Sequence, residues 1–159
     1  MVEKLVLIPI QPSGLSAEWP NLMPGVIKML DYAGSETPLS RVYNDILTGQ
    51  CVLWKGTIGG EYVGFVTTRI EKIPFEAWQN PALPHVTNMI IAQLYIKPGA
   101  YSVFTQGMEQ IESHAKKLGC NEIRFYTMRD KAFEKRMSPY GWKPSYTEFI
   151  KPLVSNKEQ

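Results

Sequence analysis

The stretch of sequence best suited to chemistry is a turn between an apolar strand and a long helix. Residues 91–120 read IAQLYIKPGAYSVFTQGMEQIESHAKKLGC, which predicts a buried strand, a turn of small residues, an amphipathic helix and a helix stop at Gly119. A helix N-terminus presents backbone N–H groups and the positive end of the helix dipole, so it attracts anions. The sequence therefore predicts an anion-binding turn at the start of this helix.

Other reaction types find little support in the sequence. It contains no G-x-S-x-G elbow, no Walker A loop and no G-x-G-x-x-G fingerprint. The two cysteines and two histidines, at Cys51, Cys120, His85 and His114, lack metal-ligand spacing, so we expect no metal site. We expect buried free thiols in a reducing cytoplasm, and a solvated His114 on the polar side of its helix.

The composition of the chain limits the classes of binding partner that we expect. The chain has 159 residues, 44% hydrophobic, and a net charge of +2 from 17 basic and 15 acidic residues. Because the basic residues form no cluster, we expect no nucleic-acid partner. The apolar run near the N-terminus is too short for a signal peptide or a membrane span, so we expect a cytoplasmic protein without membrane contact. Length predicts a single domain over 1–154, followed by a frayed tail at 155–159.

The elements that position the turn follow in the order strand, helix, helix, three strands, helix, strand, helix, strand. The strand–helix–strand over 87–127 requires a right-handed crossover between parallel strands, whereas the hairpins are antiparallel. We therefore predict an α/β (α+β) fold with one mixed, mostly antiparallel sheet, a central parallel strand pair and helices on both faces. The expected strands are 5–10, 51–55, 61–70, 86–96, 122–127 and 145–153.

Local signals refine this outline. Continuous apolar residues predict that strand 5–10 is buried on both faces. Prolines predict that the first regular helix begins near Pro24 and the second at Pro38, after a Thr37 cap. Gly64, inside a strand, indicates a bulge or a close backbone approach. Residues 71–85 are expected to form a long loop, and 130–137 a short helix. The expected buried side of the long helix is Phe104, Gly107, Met108, Ile111, Ala115 and Leu118.

Four segments, taken in order, resemble the GNAT (GCN5-related N-acetyltransferase) superfamily. LWKGTIGGEYVGFVTT resembles its two early strands, and IAQLYIKPGA resembles its strand ending in a V-x-P-type turn. AKKLGCNEIRFYT resembles the helix and strand that follow, and DKAFEKRMSPYGWKP resembles the closing element, with Gly141-Trp142 in place of Gly-Phe. More narrowly, Trp19, Leu53-Trp54, residues 64–67 and residues 115–120 resemble patterns of the divergent GNAT-like proteins of bacteriophages. That resemblance implies host cytoplasm or a virion as the location.

The resemblance implies acetyl-CoA as the cofactor. Its pantetheine arm would pair with the strand that carries Leu94, Tyr95 and Ile96, and its pyrophosphate would sit on the following backbone N–H groups. The residues implied for the pyrophosphate are Gly99, Ala100, Tyr101, Ser102, Val103 and Phe104. The family's usual loop is Q/R-x-x-G-x-G/A, whereas this chain has KPGAYSVFTQG with different spacing and a large Tyr101.

The resemblance identifies the catalytic residues less directly than the cofactor site. A GNAT enzyme needs a proton path from the amine, often a carboxylate acting through water, and a proton donor for the leaving thiolate, often a tyrosine. Strand 86–96 has no Asp or Glu, so Glu71 and His85 are the nearest candidates for the base. Tyr126 and Tyr140 are the candidate donors. Each also fits a role without chemistry, as a solvated strand end, a surface loop histidine or a packed aromatic.

Three hypotheses follow. The first is an N-acetyltransferase that moves an acetyl group from acetyl-CoA to an amine of a small molecule or a protein. The second is a GNAT-like phage protein without catalysis, acting as a binding or virion-associated component. The third is a homo-oligomer whose last strand, with Tyr146–Ile150, joins a neighbouring subunit.

Overall fold

The structure is a computed structural model that describes residues 3–32, 37–74, 85–126, 130–145, 151 and 153. It forms two compact units, Met1–Tyr126 and Thr127–Gln159. The first unit contains β1 (Leu5–Ile10), α1 (Leu15–Tyr32), α2 (Leu39–Leu47), β2 (Val52–Ile58), β3 (Glu61–Pro74), β4 (His85–Ile96), α3 (Phe104–Lys117) and β5 (Glu122–Phe125). The second contains α4 (Asp130–Met137). None of the described helices is long and apolar enough to span a membrane.

The five strands form one mixed sheet in the order β1-β2-β3-β4-β5. The first three pairings are antiparallel and β4 pairs with β5 in parallel. Gly59 and Gly60, with φ of 57° and 85°, form the two-residue turn between β2 and β3 because both positions need a left-handed backbone. The predicted fold class and its parallel pair are confirmed. Residues 71–74 extend β3 rather than beginning the expected loop, and residues 75–84 lie outside the described ones.

The prediction that β1 is buried on both faces is wrong. Among the described strands it pairs with β2 only, and Val6 and Ile8 are each 44% exposed. Two glutamines of α3 cover the start of this edge strand. Gln106 Oε1 accepts from the Leu5 N–H at 2.9 Å, and Gln110 Nε2 donates to the Leu5 carbonyl at 2.8 Å. These bonds satisfy backbone groups that an open sheet edge would expose.

The first helix begins nine residues earlier than predicted. It runs from Leu15 and contains both Pro20 and Pro24, which cannot donate to the preceding turn. Both prolines lie on the exposed side, where water can solvate the carbonyls they leave unpaired. Burial of Leu15, Leu22 and Val26 on the other side offsets those lost hydrogen bonds. In α2, Pro38 is the cap residue rather than the first helical residue, and no side-chain cap bond forms.

Helices cover both faces of the sheet in the first unit. On one face, α1 and α2 pack with Leu53, Phe65 and Tyr95 into the main hydrophobic core. On the other, Met108, Ile111 and Ala115 are the buried residues of α3. Phe104 and Gly107 are half-buried, and Leu118 is 52% exposed, so its predicted burial is wrong. Leu118 caps the C-terminus of α3, beyond the turns that face the sheet.

The second unit begins with the predicted short helix. α4 is followed by a 3₁₀ turn at Ser138–Tyr140 and by Gly141, whose φ of 89° ends the turn. Phe133 and Trp142 pack edge to face with ring centroids 5.2 Å apart. The predicted last strand falls mostly on residues 146–150, which lie outside the described ones, so it stays a prediction, as does the single domain over 1–154.

Candidate active site

A bulge divides β4 into two halves. Thr68 pairs with Ile91 and Thr67 with Gln93, which leaves Ala92 as the extra residue. Pairing with β5 runs from Asn88–Glu122 to Ile91–Phe125 and ends one residue before the bulge. From Ala92 to Ile96, β4 pairs only with β3 among the described residues. The side of this half that faces away from β3 is therefore an edge to which an extended ligand can add.

A tight turn connects β4 to α3. The Ala100 N–H donates to the Lys97 carbonyl at 3.0 Å, Pro98 takes the second position and Gly99 the third with φ of 87°. This is a type II turn, which requires a left-handed residue at the third position. The Lys97 N–H donates to the Val63 carbonyl at 2.8 Å, which fixes the turn to β3. The turn is thus held rigidly at the end of β4.

Some backbone N–H groups at the start of α3 already donate hydrogen bonds within the protein. After a 3₁₀ turn at Tyr101–Val103, the Val103 N–H donates to Ala100 and the Phe104 N–H to Tyr101. With the Ala100 bond, three of the six predicted pyrophosphate-binding residues have N–H groups that bond within the turn. An anion here would bind the other amides, including those of Gly99 and Ser102, or would compete with these bonds. Tyr101 is itself 52% exposed.

The three predicted pantetheine residues lie on the edge half of β4. Leu94 and Ile96 line an apolar void of about 40 Å³ beside α3, together with Val103, Phe104, Gly107 and Met108. Tyr95 packs toward α1, where a Cβ on Gly25 would lie 2.5 Å from its ring. A Cβ on Gly64 would overlap the Tyr95 carbonyl oxygen, which confirms the predicted close backbone approach. The structure thus brings this strand and the turn together, while their role in binding stays a prediction.

The predicted catalytic residues belong to different elements of the chain. Glu71 is half-buried on β3 and pairs with Asn88 of β4, four residues before the bulge. Tyr126 directly follows β5, whose last residue pairs with Ile91, so it lies where β4 and β5 part; it is 53% exposed. Tyr140 belongs to the second unit and is 52% exposed. The catalytic roles of these three residues stay predictions.

The sequence did not predict the contact between the half-buried side chains of His114 and Trp54. His114 packs edge to face on Trp54 with ring centroids 4.6 Å apart, so its predicted solvation is wrong. The two rings line a surface groove of about 260 Å³ that Gln110, Ser113 and Lys117 also border. This contact could have been predicted from the sequence, because alternation along β2 places the Trp54 side chain on the face of the sheet that α3 covers.

Burial raises the pKa of three ionisable side chains in the first unit. Burial, and to a smaller extent Tyr95, raises the pKa of Tyr62 above its usual range, and the Lys97 ammonium lies 4.9 Å from the centre of its ring. Both cysteines are free thiols. Burial is the main cause that raises the pKa of Cys51 and of Cys120. The thiolate is the reactive form of cysteine, and burial disfavours that form at both residues.

One buried polar residue stands out on β4, a strand in which the sequence offers no Asp or Glu as a base. Asn88 is 1% exposed, and neither its Oδ1 nor its Nδ2 has a hydrogen-bond partner. Two buried threonines on this sheet are paired: the Thr67 hydroxyl donates to Gln93 Oε1 at 2.9 Å, and Trp54 Nε1 donates to the Thr68 hydroxyl at 3.0 Å. The buried Tyr62 hydroxyl, like the Asn88 amide, has no partner. A lone asparagine within an apolar strand was the signal that could have marked it.

The architecture, a bulged strand parting from its parallel neighbour before a turn and a helix, is the GNAT fold. Solved structures confirm this. A ribosomal-protein-alanine N-acetyltransferase from Brucella melitensis biovar Abortus 2308 superposes with a TM-score of 0.64 at 10% identity, covering 95% of this chain and 100% of that one. A GCN5-related N-acetyltransferase from Ralstonia eutropha JMP134 gives 0.64 at 16% identity, covering 94% and 99%.

A third structure contains a ligand. The aminoglycoside acetyltransferase AAC(6')-Iy, in complex with the bisubstrate analog CoA-S-monomethyl-acetylneamine, gives a TM-score of 0.65 at 12% identity, covering 96% of this chain and 99% of that one. No model of a known protein family matches the sequence, and a search of curated proteins finds no match. At these identities the likeness shows the fold, and the activity is a separate question.

Proposed function

We propose that the protein transfers an acetyl group from acetyl-CoA to a primary amine. The observation that carries this proposal is the parting of β4 from β5 at Ala92, followed at once by a rigid turn and the N-terminus of α3. An extended arm can add to the open backbone of 92–96, and a pyrophosphate can reach the turn at Gly99 and Ser102. The named structural neighbours with acetyltransferase activity support the same assignment.

The reaction forms one bond and breaks another. When bound, acetyl-CoA would supply an activated thioester: the neutral amine nitrogen would bond to its carbonyl carbon and the carbon–sulfur bond would break. The nitrogen would then give up a second proton, which offsets the proton that the departing sulfur takes up. Glu71 is the residue we assign to accept the ammonium proton of the acceptor, through a chain of waters because it lies opposite Asn88, four residues before the bulge. Tyr126, beside the point where the strands part, is the residue we assign to return a proton to the thiolate, with Tyr140 as the other candidate.

Cofactor binding can be tested without knowing the acceptor. A ligand that binds only the folded state at a hundredfold excess over its dissociation constant stabilises it by about 2.7 kcal/mol. For a chain of this length we expect the melting temperature to rise by roughly 5–11 °C with saturating acetyl-CoA. No rise would end the acetyl-CoA proposal.

A charge reversal at the turn sharpens this test. Ser102→Glu places a carboxylate where the pyrophosphate would sit, so the rise with acetyl-CoA should be abolished. Because Glu near a helix N-terminus is favourable, the variant should fold without loss of stability. Ser113→Glu, an exposed serine on the same helix far from the turn, is the matched control and should keep the full rise. Equal rises in both variants would place the cofactor elsewhere.

Catalysis needs its own measurement. Release of free thiol from acetyl-CoA over a panel of primary amines reports turnover directly. If Glu71 accepts the proton, Glu71→Gln should lower the rate most near neutral pH and flatten its pH dependence. Rates that stay unchanged across pH would remove Glu71 from the mechanism.

A GNAT-like binding protein without catalysis is the second candidate. The observation that favours it is the internal use of the Ala100, Val103 and Phe104 amides, which reduces the donors available to a pyrophosphate. A thermal shift with acetyl-CoA but no thiol release from any amine would support this candidate. A phage origin, a virion-associated or cytoplasmic location, and assembly through the last strand are further proposals, and they rest on the resemblance and on the sequence.

A further inference from the structure

A second candidate binding site lies on α3, at the end away from the turn. The surface groove of about 260 Å³ is lined by Trp54 of β2 and by His114 and Lys117 of α3. Phe104 and Lys117, the first and last residues of α3, are about 20 Å apart along the helix at 1.5 Å per residue. The groove is therefore separate from the strand edge and the turn assigned to acetyl-CoA. Its volume suits a small molecule of one or two rings.

Two aromatic rings form one corner of the groove. The rings of Trp54 and His114 meet edge to face, with an interplanar angle of 71°. Trp54 Nε1 donates to the Thr68 hydroxyl at 3.0 Å, so the indole needs no further hydrogen bond. Both rings are half-buried, and a flat ligand can stack on one ring while its edge meets the other. This corner favours a planar aromatic ligand.

The charge around the groove favours an anion. No acidic side chain belongs to its described lining, and Lys117 forms no ion pair among the described residues. The neighbouring Lys116 differs, because its ammonium pairs with the Glu112 carboxylate at 3.4 Å. The negative end of a helix dipole amounts to about half a charge, which the full charge of Lys117 outweighs. An anion in the groove therefore meets a net positive potential.

Neutral side chains beside Lys117 add hydrogen-bonding groups. Ser113 lies one turn before Lys117 on the same side of α3, and its hydroxyl can donate. Gln110, nearly one turn further back, is held in place because its Nε2 donates to the Leu5 carbonyl at 2.8 Å. A carboxylate accepts from an ammonium and a hydroxyl together, whereas a single lysine does not balance the nearly two charges of a phosphate. The polar side of the groove thus suits one carboxylate.

We propose that this groove binds a small aromatic carboxylate. The ring of the ligand packs against Trp54 and His114, and its carboxylate pairs with Lys117 and accepts from Ser113. Side chains three residues apart on a helix are neighbours, about 5–6 Å apart at Cβ, so His114 and Lys117 can contact the ring and the carboxylate of one molecule joined by a short arm. The groove shares no residue with the candidate active site, and the proposal does not depend on acetyl transfer.

Titration calorimetry with 2-naphthylacetate tests the proposal. The matched probes are 2-naphthylacetamide, which keeps the rings and loses the charge, and acetate, which keeps the charge and loses the rings. We expect the amide to bind about fivefold more weakly than the acid, the upper end for an exposed ion pair, and this preference should shrink at high salt. No binding of the acid at millimolar concentration, or equal affinity of either matched probe and the acid, would overturn the proposal.

Two adjacent lysines give a matched pair of variants. Lys117→Gln should weaken the binding of 2-naphthylacetate about fivefold and leave the binding of the amide unchanged. Lys116→Gln should leave both unchanged, because Lys116 pairs with Glu112 outside the groove. Both lysines are exposed, so both variants should fold. Equal losses in the two variants, or no loss in Lys117→Gln, would contradict the assigned charge pairing and overturn the proposal.

The aromatic corner has its own variant. Trp54→Leu removes the ring contact, so it should weaken the acid and the amide alike by about tenfold. His114→Leu serves if Trp54→Leu does not fold, with an expected loss of about threefold for both probes. An affinity that stays unchanged in the folded variant would show that the ligand ring binds elsewhere and would overturn the proposal.

Competition separates the groove from the candidate active site. Saturating acetyl-CoA should leave the affinity for 2-naphthylacetate unchanged, because the two sites lie at opposite ends of α3. Displacement of the probe by acetyl-CoA would place the probe in the candidate active site and would overturn the proposal. A missing thermal shift with acetyl-CoA counts against acetyl transfer alone, so the two proposals fail independently.

Discussion

The two halves of β4 differ sharply although they belong to one strand. In the first half, Asn88, Met89, Ile90 and Ile91 are each 1% exposed and pair with strands on both sides. In the second half, Leu94, Tyr95 and Ile96 are only half-buried and pair with β3 alone among the described strands. One extra residue at Ala92 separates them. A single bulge is therefore enough to turn a core strand into an edge that can bind a ligand.

The largest expected effect comes from the first half. Met89→Ala removes a fully buried side chain and leaves a cavity, so we expect a loss of about 4 kcal/mol in the free energy of unfolding. Leu94→Ala, in the half-buried second half, should cost about 1 kcal/mol. Urea denaturation of both variants checks the comparison. Equal losses would show that the two halves are packed alike.

The next effect lies where the second half approaches β3. Gly64→Ala would force its Cβ against the Tyr95 carbonyl oxygen, and backbone cannot move aside as a side chain can. We expect a loss of about 3 kcal/mol, the upper end for overpacking, and a melting temperature lower by roughly 6–12 °C. Gly14→Ala is the control, because its Cβ meets no atom within 4 Å and its φ is ordinary. A small loss at Gly64 would mean that β3 and β4 can separate there at little cost.

A smaller effect, a gain in stability, is expected in α3 beside the second half of β4. Gly107 lies inside α3 beside the apolar void, and a Cβ there would sit 3.4 Å from Leu5 Cδ2, an ordinary contact. Since alanine favours a helix interior over glycine by roughly 0.5–1 kcal/mol, Gly107→Ala should stabilise the protein by about that amount. Thermal unfolding measures it. A destabilised variant would show that the space beside α3 is needed.

The smallest effect at neutral pH concerns Tyr62, which neighbours Tyr95 of the second half. Burial raises the folded-state pKa of Tyr62 above its ordinary value of 10.0, so the folded state holds the proton more tightly than the unfolded chain does. This stability is present below pH 10 and is lost as pH rises above it, because only the unfolded chain then ionises. In Tyr62→Phe the alkaline loss should be smaller, and stability at pH 7 nearly unchanged. Unfolding curves from pH 7 to 11 test this, and an identical alkaline loss would contradict the buried phenol.

Prediction from sequence succeeded where local chemistry decides structure. The strand at 86–96 and the range of α4 follow from short-range preferences, and Gly64 marked a close approach. It failed where tertiary burial overrides those preferences. Pro20 and Pro24 lie inside α1 because Leu15, Leu22 and Val26 are buried opposite them. An apolar β1 resembled a central strand, yet its place at the edge depends on distant partners.

The candidate site was harder to predict from the sequence, because it too depends on tertiary structure. The position of the turn followed from Gly99 and the helix pattern, but its internal use of three N–H groups depends on backbone geometry that no residue pattern specifies. Asn88 was visible as a polar residue in a strand. Its missing partners could be recognised only once the neighbouring strands were in register.

The glutamine bonds between α3 and β1 also set an order of events during synthesis. Gln106 and Gln110 contact a strand more than 100 residues earlier, with separations of 101, 103 and 105 residues. At about 5–20 residues per second, β1 is synthesised roughly 5–20 s before these partners are made. The N-terminal strand therefore waits with one edge uncovered, and the first turns of α3 are anchored only when the oldest and newer parts of the chain meet.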